Sequence, residues 1–341
     1  MRATNAKPTL SAVSDLNECS TQNISGAFHP AWWLPGAHLQ TLWPALLRRA
    51  PAPALRRERV ELPDGDFIDV DWAGERGPIV VVLHGLGGSS DSHYARGILR
   101  AVVRQGWRGA VLHFRGCSGE PNRLPRSYHA GETGDLRTFL AMLRRREPHT
   151  PLAAVGYSLG GNVLLKWLGE QGAAAVIQAA VAVSVPYDLG DAARRLSQGF
   201  SRVYERYLLR SLQLTIVRKR ARLPLPWERK DIAAITSLRE FDDRITAPLH
   251  GFRDADDYYA RATCRPHLAN IAAATLLIHA ADDPFMSPTV VPAGRELSRA
   301  TKLELSPHGG HVGFIAGERW APHYWLETRI PAFFAAHFHE D

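Results

Sequence analysis

The sequence predicts an α/β fold: a mostly parallel, doubly wound sheet with an inserted helical cap. Three observations predict it. Short, continuous apolar runs recur along the chain and alternate with helix-like segments, the pattern of strands buried on both faces beneath crossover helices. The alternation stops between residues 187 and 270, in a charged stretch of helical pattern, and then resumes. One apolar run ends in Gly156-Tyr157-Ser158-Leu159-Gly160 and leads directly into a helix-like segment.

The 341 residues are 45% hydrophobic and 22% charged, enough apolar side chain for a sizeable core. Residues 1–27 are polar and rich in Ser, Thr and Asn, and are expected to form a poorly ordered tail. Phe28 to Leu47 carries Trp32, Trp33 and Trp43, and is too interrupted by Pro30, Pro35, Gly36 and Pro44 to be one long helix. It is expected to wrap over the body. Residues 58–73 read as a hairpin about Asp64-Gly65, with Ile68, Val70 and Trp72 alternating with aspartates. Buried strands follow at Ile79–Leu83, Ala110–Phe114, Leu152–Val155, Ala179–Val185, Ala274–Ile278 and Leu303–Leu305. Helices are expected over His93–Gln105, Glu132–Arg146, Val163–Gln171 and Ser287–Ala300. The interruption of about 80 residues exceeds any ordinary connection and reads as a cap. The expected division is therefore 28–186 and 271–341 for the two parts of the core, and 187–270 for the cap.

The pentapeptide carries the chemistry. Gly-x-Ser-x-Gly on a strand-to-helix turn is a nucleophile elbow, which exposes one serine hydroxyl. Gly156 and Gly160 leave room for the tight turn that Tyr157 and Ser158 must make. The helix N-terminus favours negative charge beside Ser158. A serine needs a base, and this arrangement orders its triad Ser, acid, His along the chain. Two histidines compete on the late glycine-rich loop, His308 and His311, and two aspartates on the exit of the Ala274–Ile278 strand, Asp282 and Asp283. The oxyanion hole needs two backbone N–H donors. Leu159, following the nucleophile, supplies one. Leu86, in His84-Gly85-Leu86-Gly87-Gly88, supplies the other. That glycine run lacks the Gly-Lys-Ser/Thr ending of a phosphate loop and the spacing of a dinucleotide site. Arg115 to Glu120 is expected to line one side of the site, with Cys117 as packing.

These residues make the chain recognisable. It resembles the YheT-like branch of the α/β-hydrolase superfamily over roughly residues 28 to 338. The similarity is carried by Trp33-Leu34-Pro35-Gly36-Ala37-His38-Leu39-Gln40-Thr41, His84-Gly85-Leu86-Gly87-Gly88 and His113-Phe114-Arg115-Gly116-Cys117-Ser118-Gly119. It continues through Gly156-Tyr157-Ser158-Leu159-Gly160-Gly161-Asn162, Ala281-Asp282-Asp283-Pro284-Phe285 and Gly309-Gly310-His311-Val312-Gly313-Phe314. The resemblance implies the α/β-hydrolase fold, a triad at Ser158, Asp283 and His311, and esterase or lipase-like cleavage of short acyl esters or acylglycerols. It favours His311 over His308. The same triad could instead serve amides, thioesters or lactones, and a silent version of the fold could bind lipid or protein.

The remaining features bound the partners. The chemistry requires no metal and no organic cofactor. The expected partner is a small-molecule ester or a lipid. The formal charge of +7, 41 Lys and Arg against 34 Asp and Glu, comes with no nucleic-acid motif, and none is expected to bind. The segment Arg206 to Arg222 intersperses arginines with Leu208, Leu209, Leu212, Leu214, Ile216 and Val217, a pattern compatible with peripheral membrane contact as well as with a half-buried cap helix. The three cysteines, Cys19, Cys117 and Cys264, form no close pair and suggest free thiols. Neither a signal peptide nor a membrane span is expected, so the default location is cytoplasmic. The sequence assigns no oligomeric state.

Overall fold

The computed structural model describes residues 27–48, 51 and 53–338. Cys19 and almost all of the tail expected over 1–27 lie outside them. After helix α1 (Ala37–Leu47) the chain forms the hairpin β1 (Arg56–Glu61) and β2 (Phe67–Ala73). The alternating units follow: β3 (Ile79–Leu83), α2 (His93–Arg104), β4 (Arg108–Leu112), α3 (Gly134–Arg146), β5 (Leu152–Tyr157), α4 (Leu159–Gln171) and β6 (Ala179–Val183). Helices then occupy the interval before the next strand: α5 (Leu189–Leu196), α6 (Arg202–Arg220), α7 (Arg229–Ala233), α8 (Leu238–Phe241), α9 (Ala247–His250) and α10 (Ala255–Ala262). The sheet resumes with β7 (Ala274–Ala280) and β8 (Thr301–Ser306). A small hairpin, β9 (Ile315–Glu318) and β10 (Ala321–Tyr324), leads into α11 (Leu326–Ala335).

Eight strands form the main sheet in the order β1-β2-β4-β3-β5-β6-β7-β8. β2 pairs antiparallel with both β1 and β4, and β3 to β8 run parallel to one another. Alternation of side chains splits the core in two. Val81, Leu83, Ala154 and Ala182 pack on one face with Leu136, Phe139, Leu164 and Trp167. Val80, Val82, Val155 and Val181 pack on the other with Ile98, Val102, Ile330 and Phe334. Each such Val, Leu, Ile or Phe side chain contributes roughly 1.5–3 kcal/mol by leaving water. Strands buried on both faces have no polar positions, which is why they read as continuous apolar runs.

The strand order reverses direction between β3 and β5. Chains leaving these two strands run to opposite sides, opening a crevice beyond their C-terminal ends where α/β sheets bind ligands. The register places Leu83 beside Gly156, so the loop after β3 and the turn after β5 meet there.

Two expectations are corrected. Ser287–Ala300 is not an α-helix; it holds only two 3₁₀ turns, Pro288–Val290 and Gly294–Glu296. Pro288 and Pro292 lack the N–H donors a continuous helix uses. Asp191 captures the Ser287 backbone N–H and hydroxyl, and Arg265 grips Glu296 through both carboxylate oxygens. Tertiary bonds thus hold the segment in two separate turns. The second correction is Arg115. Its guanidinium is buried against Asp64, Asp66 and Asp135, as a structural clamp on the first hairpin and α3. No helix among the described residues is long and apolar enough to cross a membrane.

Candidate active site

Ser158 stands between β5 and α4 with φ 52° and ψ −120°, a conformation strained for any residue with a side chain. Neighbours over-determine it. The Ser158 N–H is held by the Val183 carbonyl at 2.8 Å, and its own carbonyl accepts from Gly161 and Asn162. Gly156 and Gly160 are required by close approach: a Cβ on Gly156 would lie 2.5 Å from the Gly160 carbonyl oxygen, and one on Gly160 would strike the Leu83 and His84 carbonyls. The turn therefore has one geometry, with the serine at the N-terminus of a 13-residue helix.

The loop after β3 is braced from beneath. The Gly85 N–H donates to the Tyr94 hydroxyl at 2.8 Å and the Gly87 N–H to the Tyr128 hydroxyl at 2.9 Å. Between them the Leu86 N–H donates to nothing among the described residues, and the same holds for the Leu159 N–H. His84 completes the brace. Its Nε2 accepts the Phe114 N–H, so Nδ1 carries the proton and donates to the Gly85 carbonyl. Burial lowers the His84 pKa to about 3, which keeps the ring neutral and this tautomer in place. Burial also pushes the Cys117 thiol up to about 12, which leaves it a packing residue.

The competing acids and histidines form two separate pairs. His311 Nδ1 lies 2.8 Å from Asp283 Oδ2, and both side chains are nearly buried. The carboxylate can only accept, so Nδ1 donates and Nε2 holds the lone pair. Asp283 Oδ1 accepts the Phe285 N–H at 2.9 Å, and the Phe285 ring stacks on His311 at 3.8 Å. His308 instead lies on the surface beside Asp282, at 3.2 Å. Asp282 also accepts the Gly310 N–H and so shapes the histidine loop. Ser158, Asp283 and His311 all occupy the C-terminal edge of the sheet. No Ser158–His311 hydrogen bond is formed among the described residues. Such bonds are often long without substrate and tighten when it binds.

Several supporting residues had no signature in the sequence read alone. The Thr41 hydroxyl accepts the His311 N–H at 2.9 Å, and the Gln40 amide clamps both backbone groups of Ile315. Thus α1, the helix of the Trp-rich segment, props up the histidine loop. Helix α6 reaches the site from the opposite side. The Tyr204 ring lies 4.9 Å from Phe285, its hydroxyl is 2.9 Å from His38 Nδ1, and the Ser201 hydroxyl donates to the Pro284 carbonyl. Gln40 and Thr41 fall within the Trp33–Thr41 motif, which carries no chemistry by itself, and Ser201 and Tyr204 fall in no motif.

A strained serine at a strand-to-helix turn, two unused amides beside it and a buried Asp–His pair define a class of protein, and the comparisons agree. Residues 78–318 match the model of the alpha/beta hydrolase fold family, and the chain belongs to that family. It is 47% identical over 326 residues to the Escherichia coli (strain K12) protein named "Putative esterase YheT", covering 94% of this chain and 95% of that one. The chain is thus a YheT-like α/β hydrolase. It is also 28% identical over 307 residues to human "Phospholipase ABHD3", covering 86% of this chain and 75% of that one. Among solved structures, the Pyrococcus furiosus esterase Pf2001 superposes with a TM-score of 0.54 at 16% identity, over 84% of this chain and 94% of that one, a likeness of fold.

Proposed function

We propose that the protein is a serine hydrolase of carboxylic esters, acting through Ser158, His311 and Asp283. The observation that carries this reading is the 2.8 Å His311–Asp283 pair on the same sheet edge as the strained Ser158 turn. The names of its relatives, esterase and phospholipase, point the same way.

The chemistry follows from the tautomer. With Nδ1–H donated to Asp283, His311 Nε2 is the free base. It takes the Ser158 hydroxyl proton as the oxygen attacks the ester carbonyl. The Leu86 and Leu159 N–H groups hold the oxyanion, and such a donor is worth roughly 10²–10³ in rate. The imidazolium, stabilised by Asp283, then protonates the departing alkoxide. Water repeats the sequence on the acyl-enzyme and frees Ser158. The helices between β6 and β7, residues 187–270, serve as the cap, with Tyr204 packed against Phe285 at its floor. The substrate is a small-molecule ester or a lipid, no nucleic acid is involved, and the protein works in the cytoplasm.

A fluorophosphonate probe tests the reading. Labelling mapped to Ser158, and lost in Ser158→Ala and His311→Ala, is expected. A folded parent protein that takes no label, and hydrolyses no ester in a chain-length panel, refutes it.

A further inference from the structure

Helix α6 is the longest in the described chain, and one side of it is exposed. Two stripes run along that side. Arg202, Arg206 and Arg210 recur every fourth residue, all exposed. Beside them lie Val203, Tyr207 and Leu214, exposed by 49%, 78% and 47%. The three arginines make no ion pair among the described residues. The one carboxylate of the helix, Glu205, is buried and accepts the Leu238 N–H. The opposite side of α6 is used internally: Tyr204, Leu209 and Ile216 pack in the cap core. Lys219 anchors its end to the Pro125 and Arg126 carbonyls and the Ser127 hydroxyl. The outward stripes are therefore held at a fixed angle and are not needed for folding.

The stripes also have a position. Ser211 lies over the oxyanion loop, its Oγ 2.8 Å from where a Cβ on Gly87 would be. Ser211 is four residues on from Tyr207 and three before Leu214, so the apolar stripe lies beside the Leu86 loop. Phe200, 51% exposed, extends it at the N-terminal end against His38 of α1.

We infer that this side of α6 docks the enzyme on an anionic lipid bilayer. The arginine stripe faces the phosphate headgroups. The Val203–Tyr207–Leu214 stripe enters the acyl boundary, which sets the Leu86 loop against the membrane. An unneutralised cationic stripe beside an apolar one is the chemistry such a surface recognises. A second copy of the chain fits worse, because a twofold contact through this face sets the arginines against themselves. The docking stands on the α6 face alone. Delivery of a lipid ester to Ser158 rests in addition on the esterase reading above.

The test is co-sedimentation of the full chain with vesicles of equimolar phosphatidylglycerol and phosphatidylcholine, against phosphatidylcholine alone. The parent is expected to bind the anionic vesicles selectively, and less well as salt rises. R202Q/R206Q/R210Q should weaken that binding about a hundredfold, at about one kcal/mol per arginine. Val203→Asn with Leu214→Asn should weaken it with the charge intact. Both variants should keep the parent's melting temperature and its turnover of soluble p-nitrophenyl butyrate. Equal binding to both vesicle types, no binding to either, or full binding by the triple variant overturns the inference. A stable dimer in sedimentation velocity that the same substitutions dissociate assigns the face to self-association and also overturns it. If the parent binds anionic vesicles yet cleaves no ester, the esterase reading falls and the docking surface stands.

Discussion

Replacing Asp283 by Asn separates orientation from mere presence of a side chain. In the parent, Asp283 Oδ1 accepts the Phe285 N–H at 2.9 Å while Oδ2 accepts from His311 at 2.8 Å. Asparagine has one oxygen for two donors. Turning its amide so that the oxygen faces His311 would set an N–H₂ against the Phe285 N–H at a buried position, and leaving that donor unmet costs about 1–3 kcal/mol. The oxygen therefore stays on Phe285 and the N–H₂ faces Nδ1. His311 must then present a lone pair at Nδ1 and carry its proton on Nε2, where the base is needed. The expected loss in kcat is about 10⁴-fold, about 5 kcal/mol of barrier. KM and melting temperature should change little, because the amide fills the same space. Steady-state hydrolysis of p-nitrophenyl butyrate, with thermal unfolding alongside, reads all three. If Asp283→Asn keeps more than about a tenth of the parent's rate while Asp282→Asn loses about a thousandfold, the acid is Asp282 and the tautomer argument is wrong.

Other outcomes follow from single contacts. His308→Ala, which removes only a surface pair with Asp282, should leave kcat within about twofold, since exposed pairs are worth little; a large loss in ester turnover would return His308 to the site. Tyr128→Phe removes the acceptor of the Gly87 N–H and should lower kcat about fivefold with KM steady, the value of a hydrogen bond of about 1 kcal/mol; an unchanged kcat would show that the loop holds its shape unaided. Gly160→Ala forces a Cβ against the Leu83 and His84 carbonyls and should destabilise by about 3 kcal/mol, seen as a lower denaturant midpoint; a parent-like midpoint would contradict the packing described. Burial lowers the Lys219 pKa from 10.5 to about 7. Between these values the unfolded chain binds more protons than the folded one, so this group makes stability rise with pH, by at most about 1.4 kcal/mol per pH unit. Urea unfolding of parent and Lys219→Met from pH 7 to 9 should differ by that slope, and parallel curves would show that Lys219 is not depressed. The buried thiols of Cys117 and Cys264, whose pKa values burial raises, act in the opposite direction as pH approaches 9, but they are common to parent and variant and cancel in the difference.

The sequence by itself determined what depends on near neighbours along the chain. The buried strands were legible because a strand covered on both faces, such as Ile79–Leu83, tolerates no polar residue. The elbow was legible because the glycines it requires lie within two residues of Ser158. The helical character of the stretch between β6 and β7 was legible from its length and pattern. Tertiary structure decided everything that joins distant segments. The aspartates lie side by side in sequence and the histidines share one loop, and only the fold shows that Asp283 is buried with His311 while Asp282 stays outside with His308. The same is true of Tyr94 and Tyr128 beneath Leu86, and of Gln40 and Thr41 beneath His311, with partners up to 275 residues away. It is true also of Ser287–Ala300, where Asp191 and Arg265 hold two turns apart. Backbone preference and burial act locally and leave a periodic trace. A hydrogen bond across the fold leaves none, because its geometry exists only once the sheet has brought both partners to one edge.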